Sequence, residues 1–370
     1  MRVLAAPFAI AEQFVHQGVV REVTPLGSGN INDTFLVILD GAPEPYFVLQ
    51  RLNTQIFRDP RGVMQNMRTV TEHVHDRLSC NPADPHCPDR RWEVPRVLPT
   101  QAQQDCHTDG QDVWRALSFI DRSHTLDQIQ DTHHAQEIGY GLGMFHHLIS
   151  DLPTAQMVDT LEGFHITPRY LQQFDAVLAK SPVERNAAVE DCLRFVGDRR
   201  AFVPILEQAK AAGKLHLRLI HGDPKINNIM LDTVTGQAVS MIDLDTVKPG
   251  LVHYDIGDCL RSGCNPLGEE TEAFESVRFE PDLAEPILQG YWSVARAFLT
   301  TADCEYLYDA IRLIAFELGL RFLTDHLAGN VYFKAKHPTH NLARAQVQFR
   351  LTESIEAQEQ TLRNLIESLR

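Results

Sequence analysis

The sequence predicts an α+β protein in two lobes, a β-rich N-terminal part followed by a larger and mostly helical one. Two observations carry this. Before Asp121, short runs of β-branched and aromatic residues alternate with turn residues; after it, apolar residues recur at helical spacing almost to the C-terminus. A third concerns size: 370 residues are enough for two cores.

The elements follow in order. The N-terminal stretch reads as a helix to about Gly18: Pro7 breaks its apolar run, and its continuation through Phe14, Val15 and Val19 is amphipathic rather than that of a signal peptide. Strands are expected over 19–24, 34–39 and 46–52. Pro25-Leu26-Gly27-Ser28-Gly29-Asn30 turns the first pair, and Asp40-Gly41-Ala42-Pro43 turns the second. Met64, Met67, Val70, Val74 and Leu78 mark a helix. The Pro- and Asp-rich stretch 80–90 is a loop, and 94–98 and 113–120 are further strands. A link near 118–124 divides the chain into 1–118 and 119–370, with a cleft expected between the lobes. Helices are expected over 135–149, 170–180 and 191–213, short apolar strands over 217–220 and 239–242, and helix nearly throughout from Glu285.

Composition narrows the function. A formal net charge of −15 argues against a nucleic-acid surface but leaves room for a nucleotide pocket. Seven cysteines without regular spacing suit a reduced, cytoplasmic protein. Cys80, His86 and Cys87 match no zinc pattern, and His133, His134, His146 and His147 lie on expected helices without metal-ligand spacing, so they read as packed or solvated histidines. No apolar run reaches the ~18 residues a membrane span needs. The expected partner is a small molecule, with no nucleic acid and no membrane, and the chain is expected to be a monomer or weak homodimer.

The stretch His221-Gly222-Asp223-Pro224-Lys225-Ile226-Asn227-Asn228, followed by Met241-Ile242-Asp243-Leu244-Asp245, carries the chemistry. A carboxylate, an amide oxygen and a second carboxylate are spaced along apolar strand-like segments. Phosphoryl transfer needs this set: Asp223 to take or orient a hydroxyl proton, Asn228 and Asp243 as oxygen ligands for Mg²⁺. Lys225 is suited to balance phosphate or substrate charge, and His221 to brace the loop. Glycines in Gly27-Ser28-Gly29-Asn30 let backbone N–H groups approach phosphates. A P-loop is excluded, because Gly213-Lys214 is followed by Leu215.

These residues resemble the signature of the aminoglycoside phosphotransferase and choline kinase-like superfamily, which has a protein-kinase-like fold. Longer stretches resemble its N-acetylhexosamine 1-kinase branch. They are Pro25 to Phe35, Val48 to Asn53, Trp114 to Ile120, Ile242 to Gly250, Tyr254 to Asp258 and Arg321 to Phe333. The resemblance implies ATP and Mg²⁺ as cofactors, Asp223 as catalytic base, and Asn228 and Asp243 as metal ligands. It implies that the hairpin Gly27, Ser28, Gly29 and Asn30 covers the ATP phosphates and that Ser118, Phe119 and Ile120 form the adenine hinge. Arg321 and Tyr332 would contact a sugar, and the activity would be phosphorylation of the anomeric 1-hydroxyl of GlcNAc or GalNAc. Kinases of choline, homoserine or aminoglycosides, and an inactive nucleotide-binding module, are the alternatives. The third-strand lysine of protein kinases is missing; Gln50 or Arg51 must replace it, and Arg51 is the expected choice, with Glu72 the sole acidic candidate for its partner on the following helix. Asp245, standing where such kinases have glycine, is expected to aid metal or sugar binding.

Overall fold

The computed structural model describes residues 5–27, 31–80, 90–181, 183 and 185–369. The expected phosphate-covering residues Ser28, Gly29 and Asn30, and most of the 80–90 loop with His86 and Cys87, lie outside the described residues. The chain forms two compact units. The first joins Met1–Ser123 with two later segments, Asp151–Glu162 and Val239–Lys248; the second holds the remainder. No helix among the described residues is long and apolar enough to cross a membrane.

In the first unit, helix α1 (Ala5–Ala11) precedes strands β1 (Val19–Pro25), β2 (Asp33–Asp40) and β3 (Tyr46–Leu52). Helix α2 (Pro60–Cys80) leads to β4 (Val97–Leu98), β5 (His107–Asp109) and β6 (Asp112–Ser118). The sheet runs β1-β2-β3-β6-β4 with β5 on β6, and every pairing recorded in it is antiparallel. Alternation along β3 separates two faces. Phe47 and Leu49 join Ile10, Phe14, Val37 and Trp114 in one core. Gln50 points to the other face, opposite Arg115 in register. The first helix is shorter than expected, ending at Ala11 rather than near Gly18.

The second unit is helical. After β7 (Ser123–His124) come α3 (Thr132–Leu148), α4 (Thr167–Leu178), α5 (Ala187–Arg199) and α6 (Ile205–Ala211). The single helix expected over 191–213 is thus two. Pro204 lacks an N–H and disfavours helical backbone at the residue before it, so the chain breaks there. Short strands β8 (Arg218–Ile220) and β9 (Ile229–Asp232) follow; the chain then passes through β10 (Ala238–Met241), nearly all of which belongs to the first unit, and β11 (Lys248–Gly250), where the first unit's segment ends, before α7 (Val252–Gly263). The C-terminal helices are α8 (Pro281–Ala295), α9 (Thr301–Glu305), α10 (Leu307–Leu327), α11 (His340–Ala357) and α12 (Glu359–Ser368). Phe174 of α4, Val196 of α5, Phe316, Leu320 and Leu323 of α10 and Phe349 of α11 build one core. Helices α3 and α8 cross at glycines: a Cβ on Gly139 would lie 1.8 Å from the Ile287 carbonyl oxygen, and one on Gly290 would lie 2.0 Å from that of Gln136.

Candidate active site

In the second unit, the loop from His221 to Asn228 connects β8 to a short 3₁₀ turn, Ile226–Asn228. Its backbone is held from beneath. Asp255, on α7 and fully buried, accepts the N–H groups of His221 (2.6 Å) and Gly222 (2.9 Å). The same carboxylate meets His146 Nε2 of α3 at 2.9 Å, and His146 Nδ1 meets the Tyr291 hydroxyl at 2.9 Å. Burial pushes the Asp255 carboxyl up, but His146, His221 and the Gly222 N–H outweigh it, and the group titrates below the usual carboxylate range. Gly222 has φ +87°, a conformation open to glycine and strained for other residues, which lets two successive N–H groups converge on one carboxylate.

Asp223 leaves this scaffold with its side chain partly exposed. Its backbone N–H donates to His221 Nδ1 (3.2 Å), and its Oδ2 lies 2.9 Å from Lys225 Nζ. Lys225 therefore compensates the charge of Asp223. Asn228 donates through Nδ2 to the Asp223 carbonyl oxygen at 2.7 Å. Its amide nitrogen is committed to the loop, so Oδ1 is the end left to meet a cation.

The loop is also held from a third side, at the Gly222 carbonyl. His165 Nε2 donates to it at 2.8 Å, while Nδ1 lies 2.9 Å from Glu317 Oε1 on α10. Thr167 donates to the other Glu317 oxygen at 2.7 Å. One helical turn beyond Glu317 is Arg321. Its guanidinium carbon lies 5.2 Å from the Phe164 ring centroid, 5.0 Å from that of Tyr170 and 5.5 Å from that of Phe333. Among the described residues the contacts found for this guanidinium are with these three rings. Burial works against its charge, yet Tyr170, Tyr332, Glu317 and Asp223 together raise its pKa. Tyr332 is 51% exposed, on a turn whose Val331, Tyr332 and Phe333 N–H groups all donate to Asp325. Its ring meets that of Phe333 at 4.8 Å.

In the first unit, Asp243 has φ +64° and ψ +53°, left-handed backbone that is uncommon outside glycine. It opens a 3₁₀ turn, Leu244–Thr246, that puts Asp245 into the sheet's second face. There Asp245 is 3% exposed. One carboxylate oxygen accepts from Arg115 and the other from Asn32 at 2.7 Å. Arg115 Nε donates to Gln50 Oε1 at 2.8 Å, and Gln50 donates to the Thr34 hydroxyl at 3.0 Å. Asn32 also accepts the Asn53 N–H at 3.0 Å. On α2, Asn66 clips the segment further along by donating to the Val247 carbonyl at 3.1 Å.

Three residues singled out in the sequence have partners within their own unit. Asp245, expected at metal or sugar, has both oxygens engaged inside its own unit and anchors the 239–248 segment. Arg51, expected to replace the strand lysine, projects on the opposite face of β3 from Gln50, where it pairs with Asp33 and Asp112 and lies 6.0 Å from the Trp114 centroid. The buried cation of the sheet is instead Arg115. Glu72 pairs with its helix neighbour Arg68 at 2.7 Å. As for the hinge, Ser118 is buried and exchanges hydrogen bonds with the Arg96 backbone at 2.9 Å each way, and Ile120 accepts from Ser123 at 2.6 Å. The Phe119 ring meets Tyr46 at 5.5 Å. Gly27, two residues past the end of β1, has φ +71°. Sequence reasoning gave no role to Asp255, His165, Glu317 or Arg115, although Asp255 and Arg115 lie in the stretches Tyr254 to Asp258 and Trp114 to Ile120 that carry the resemblance. A charged residue inside the apolar run Val113 to Leu117 was the local signal for Arg115; His165 and Glu317 have no signature of their own.

Residues 22–292 match the phosphotransferase enzyme family (APH), and the chain belongs to that family. Solved structures share the fold at low identity. An aminoglycoside phosphotransferase from Alicyclobacillus acidocaldarius is 14% identical with a TM-score of 0.60, over 100% of this chain and 96% of that one. A choline kinase from Cryptosporidium parvum is 15% identical with a TM-score of 0.58, over 93% and 91%. An amicoumacin kinase in complex with AMP-PNP and Ca²⁺ is 13% identical with a TM-score of 0.60, over 94% and 91%.

Proposed function

We propose that this phosphotransferase is an ATP- and Mg²⁺-dependent kinase of a small neutral alcohol, the anomeric 1-hydroxyl of an N-acetylhexosamine (GlcNAc or GalNAc). One observation carries the acceptor class. Rings arranged around a cationic ligand would recognise choline. Here Phe164, Tyr170 and Phe333 surround a cation, but it is the protein's own Arg321. A fixed guanidinium that influences Asp223 electrostatically repels a quaternary ammonium or a polycationic aminoglycoside. Its donors suit hydroxyl and acetamido oxygens, and the exposed Tyr332 ring suits the face of a pyranose.

Asp223 is the base that orients the acceptor hydroxyl and takes its proton, and Lys225 beside it offers charge to the transferring phosphoryl group. In chemistry the donor set suits a hard divalent cation, for which the Oδ1 end of Asn228 and the carboxylate of Asp243 would serve as oxygen ligands. When bound, Mg²⁺ would neutralise charge on the phosphates of ATP. Gly27 to Asn30, with Ser118, Phe119 and Ile120, are the proposed nucleotide contacts. The resemblance in sequence to N-acetylhexosamine 1-kinases and the nucleotide and metal in the amicoumacin kinase complex support this reading.

The test is ADP release over a panel of hexoses, N-acetylhexosamines, choline and aminoglycosides. Turnover is expected with an N-acetylhexosamine and not with choline. Arg321→Ala should cut kcat/KM for the sugar about 100-fold, the cost of leaving a ligand's buried polar groups unpaired. Choline turnover without hexosamine turnover would refute the assignment.

A further inference from the structure

We infer that His165 is a positioning residue that fixes the peptide carrying Asp223 and ties it to the helix that bears Arg321. The linkage rests on the reading of Arg321 as the acceptor-binding cation; the positioning of Asp223 does not.

His165 is 4% exposed and, unusually for a non-glycine residue, has φ +60°. Backbone strain of this kind persists where surrounding contacts over-determine it. Here both ring nitrogens are committed. A carbonyl only accepts, so Nε2 carries the proton given to Gly222 O; Nδ1 faces Glu317. The ring is stacked on Tyr254 with centroids 5.3 Å apart.

The Gly222–Asp223 peptide is thereby held at both ends. Its carbonyl accepts from His165, and its N–H donates to His221 Nδ1. Rotation of that peptide is the motion that would swing the Asp223 side chain, and Asp255 alone, gripping only the two preceding N–H groups, does not restrain it. Glu317 lies on the same helix as Arg321 and one turn before it, and Phe164, next to His165, is one of the rings around Arg321. One dipeptide, Phe164-His165, thus touches the catalytic loop and the acceptor cation.

The test compares His165→Ala with His165→Gln, whose amide nitrogen can reach where Nε2 stood. Steady-state kcat and Mg-AMP-PNP affinity by calorimetry are measured on the full chain. A displaced base of about 1 Å costs roughly 100-fold in rate. The Ala variant should lose about that in kcat, keep nucleotide affinity within threefold, and recover at least tenfold when Gln replaces Ala. Wild-type kcat in the Ala variant, or equal kcat in Ala and Gln variants, overturns the inference. If the Ala variant does not fold by circular dichroism, His165→Asn replaces it. Its shorter amide stays on the Glu317 side, so equal kcat in the Asn and Gln variants overturns the inference just as well. The link to Arg321 is read from the double variant with Arg321→Ala. Its loss in kcat/KM should fall short of the product of the single losses by at least fivefold, and a multiplicative result removes the link. Hexosamine turnover by the wild-type chain is measured first. Its absence refutes the acceptor assignment, and the same His165 comparison is then read with whichever acceptor of the panel is phosphorylated.

Discussion

Asp245→Asn should loosen the segment that carries Asp243. The Asp245 carboxylate and the Arg115 guanidinium are nearly excluded from solvent, with side chains 2% and 1% exposed. Breaking a buried ion pair by neutralising one partner leaves the other charge without compensation, at a cost of about 3–5 kcal/mol. The Asn amide also presents a donor where Arg115 or Asn32 donates now, so no compensating contact replaces the lost one. At the lower bound of about 3 kcal/mol, the opening equilibrium of the segment rises about 150-fold at 25 °C. Hydrogen–deuterium exchange of peptides covering 239–248 reads this directly, since protection should fall by that factor while peptides from α10 and α11 hold theirs. Replacing both partners by apolar residues, Arg115→Met with Asp245→Leu, should cost less than either single change, because no unpaired charge then remains. Protection within fivefold of wild type in Asp245→Asn, or a double variant as loose as the sum of the singles, would refute the anchoring role.

Further outcomes are expected elsewhere in the chain. Asp223→Asn should lower kcat by about 10²–10⁴ with nucleotide affinity kept, and near-normal turnover removes the base assignment. Arg51→Ala should leave the KM for ATP within threefold, because its partners are Asp33 and Asp112 on the opposite face from Gln50; a tenfold rise would restore Arg51 to the phosphates. Gly139→Ala should destabilise α3 against α8 by about 1–3 kcal/mol, as an overpacked contact does, and an unchanged melting temperature contradicts the close crossing. Glu270, against burial, is held down to about 2 by Lys336, Arg344 and His340. A depressed carboxyl contributes stability above its unfolded pKa of about 4.3, and the contribution is lost as pH falls toward 2. With the side chain 38% exposed, solvent screening leaves about 1 kcal/mol, so Glu270→Gln should lower stability at pH 7 by that amount and match wild type near pH 2 in thermal unfolding.

What is local in this protein is legible in its sequence. The third strand is found over 46–52, and β1, β2, α2 and α3 fall within a few residues of their expected places, whereas α7 was not expected and the helix expected over 191–213 is two; α+β order follows from the change of period after Asp121. The spacing of Asp223, Asn228 and Asp243 already indicated phosphoryl-transfer chemistry, which family membership supports. Tertiary structure decided what surrounds those residues. Arg115 meets Asp245 across 130 positions, His165 meets Glu317 across 152, and three rings from separate elements enclose Arg321. Even the choice between Gln50 and Arg51 needed the sheet: alternation puts them on opposite faces, but only the partners of each face tell which one meets Asp245's network. Periodicity and turn chemistry act over a few residues, whereas a buried charge is satisfied by whatever group the finished fold brings within about 3 Å of it. The residues proposed to react are therefore written in the chain, and their supports are written only in its folding.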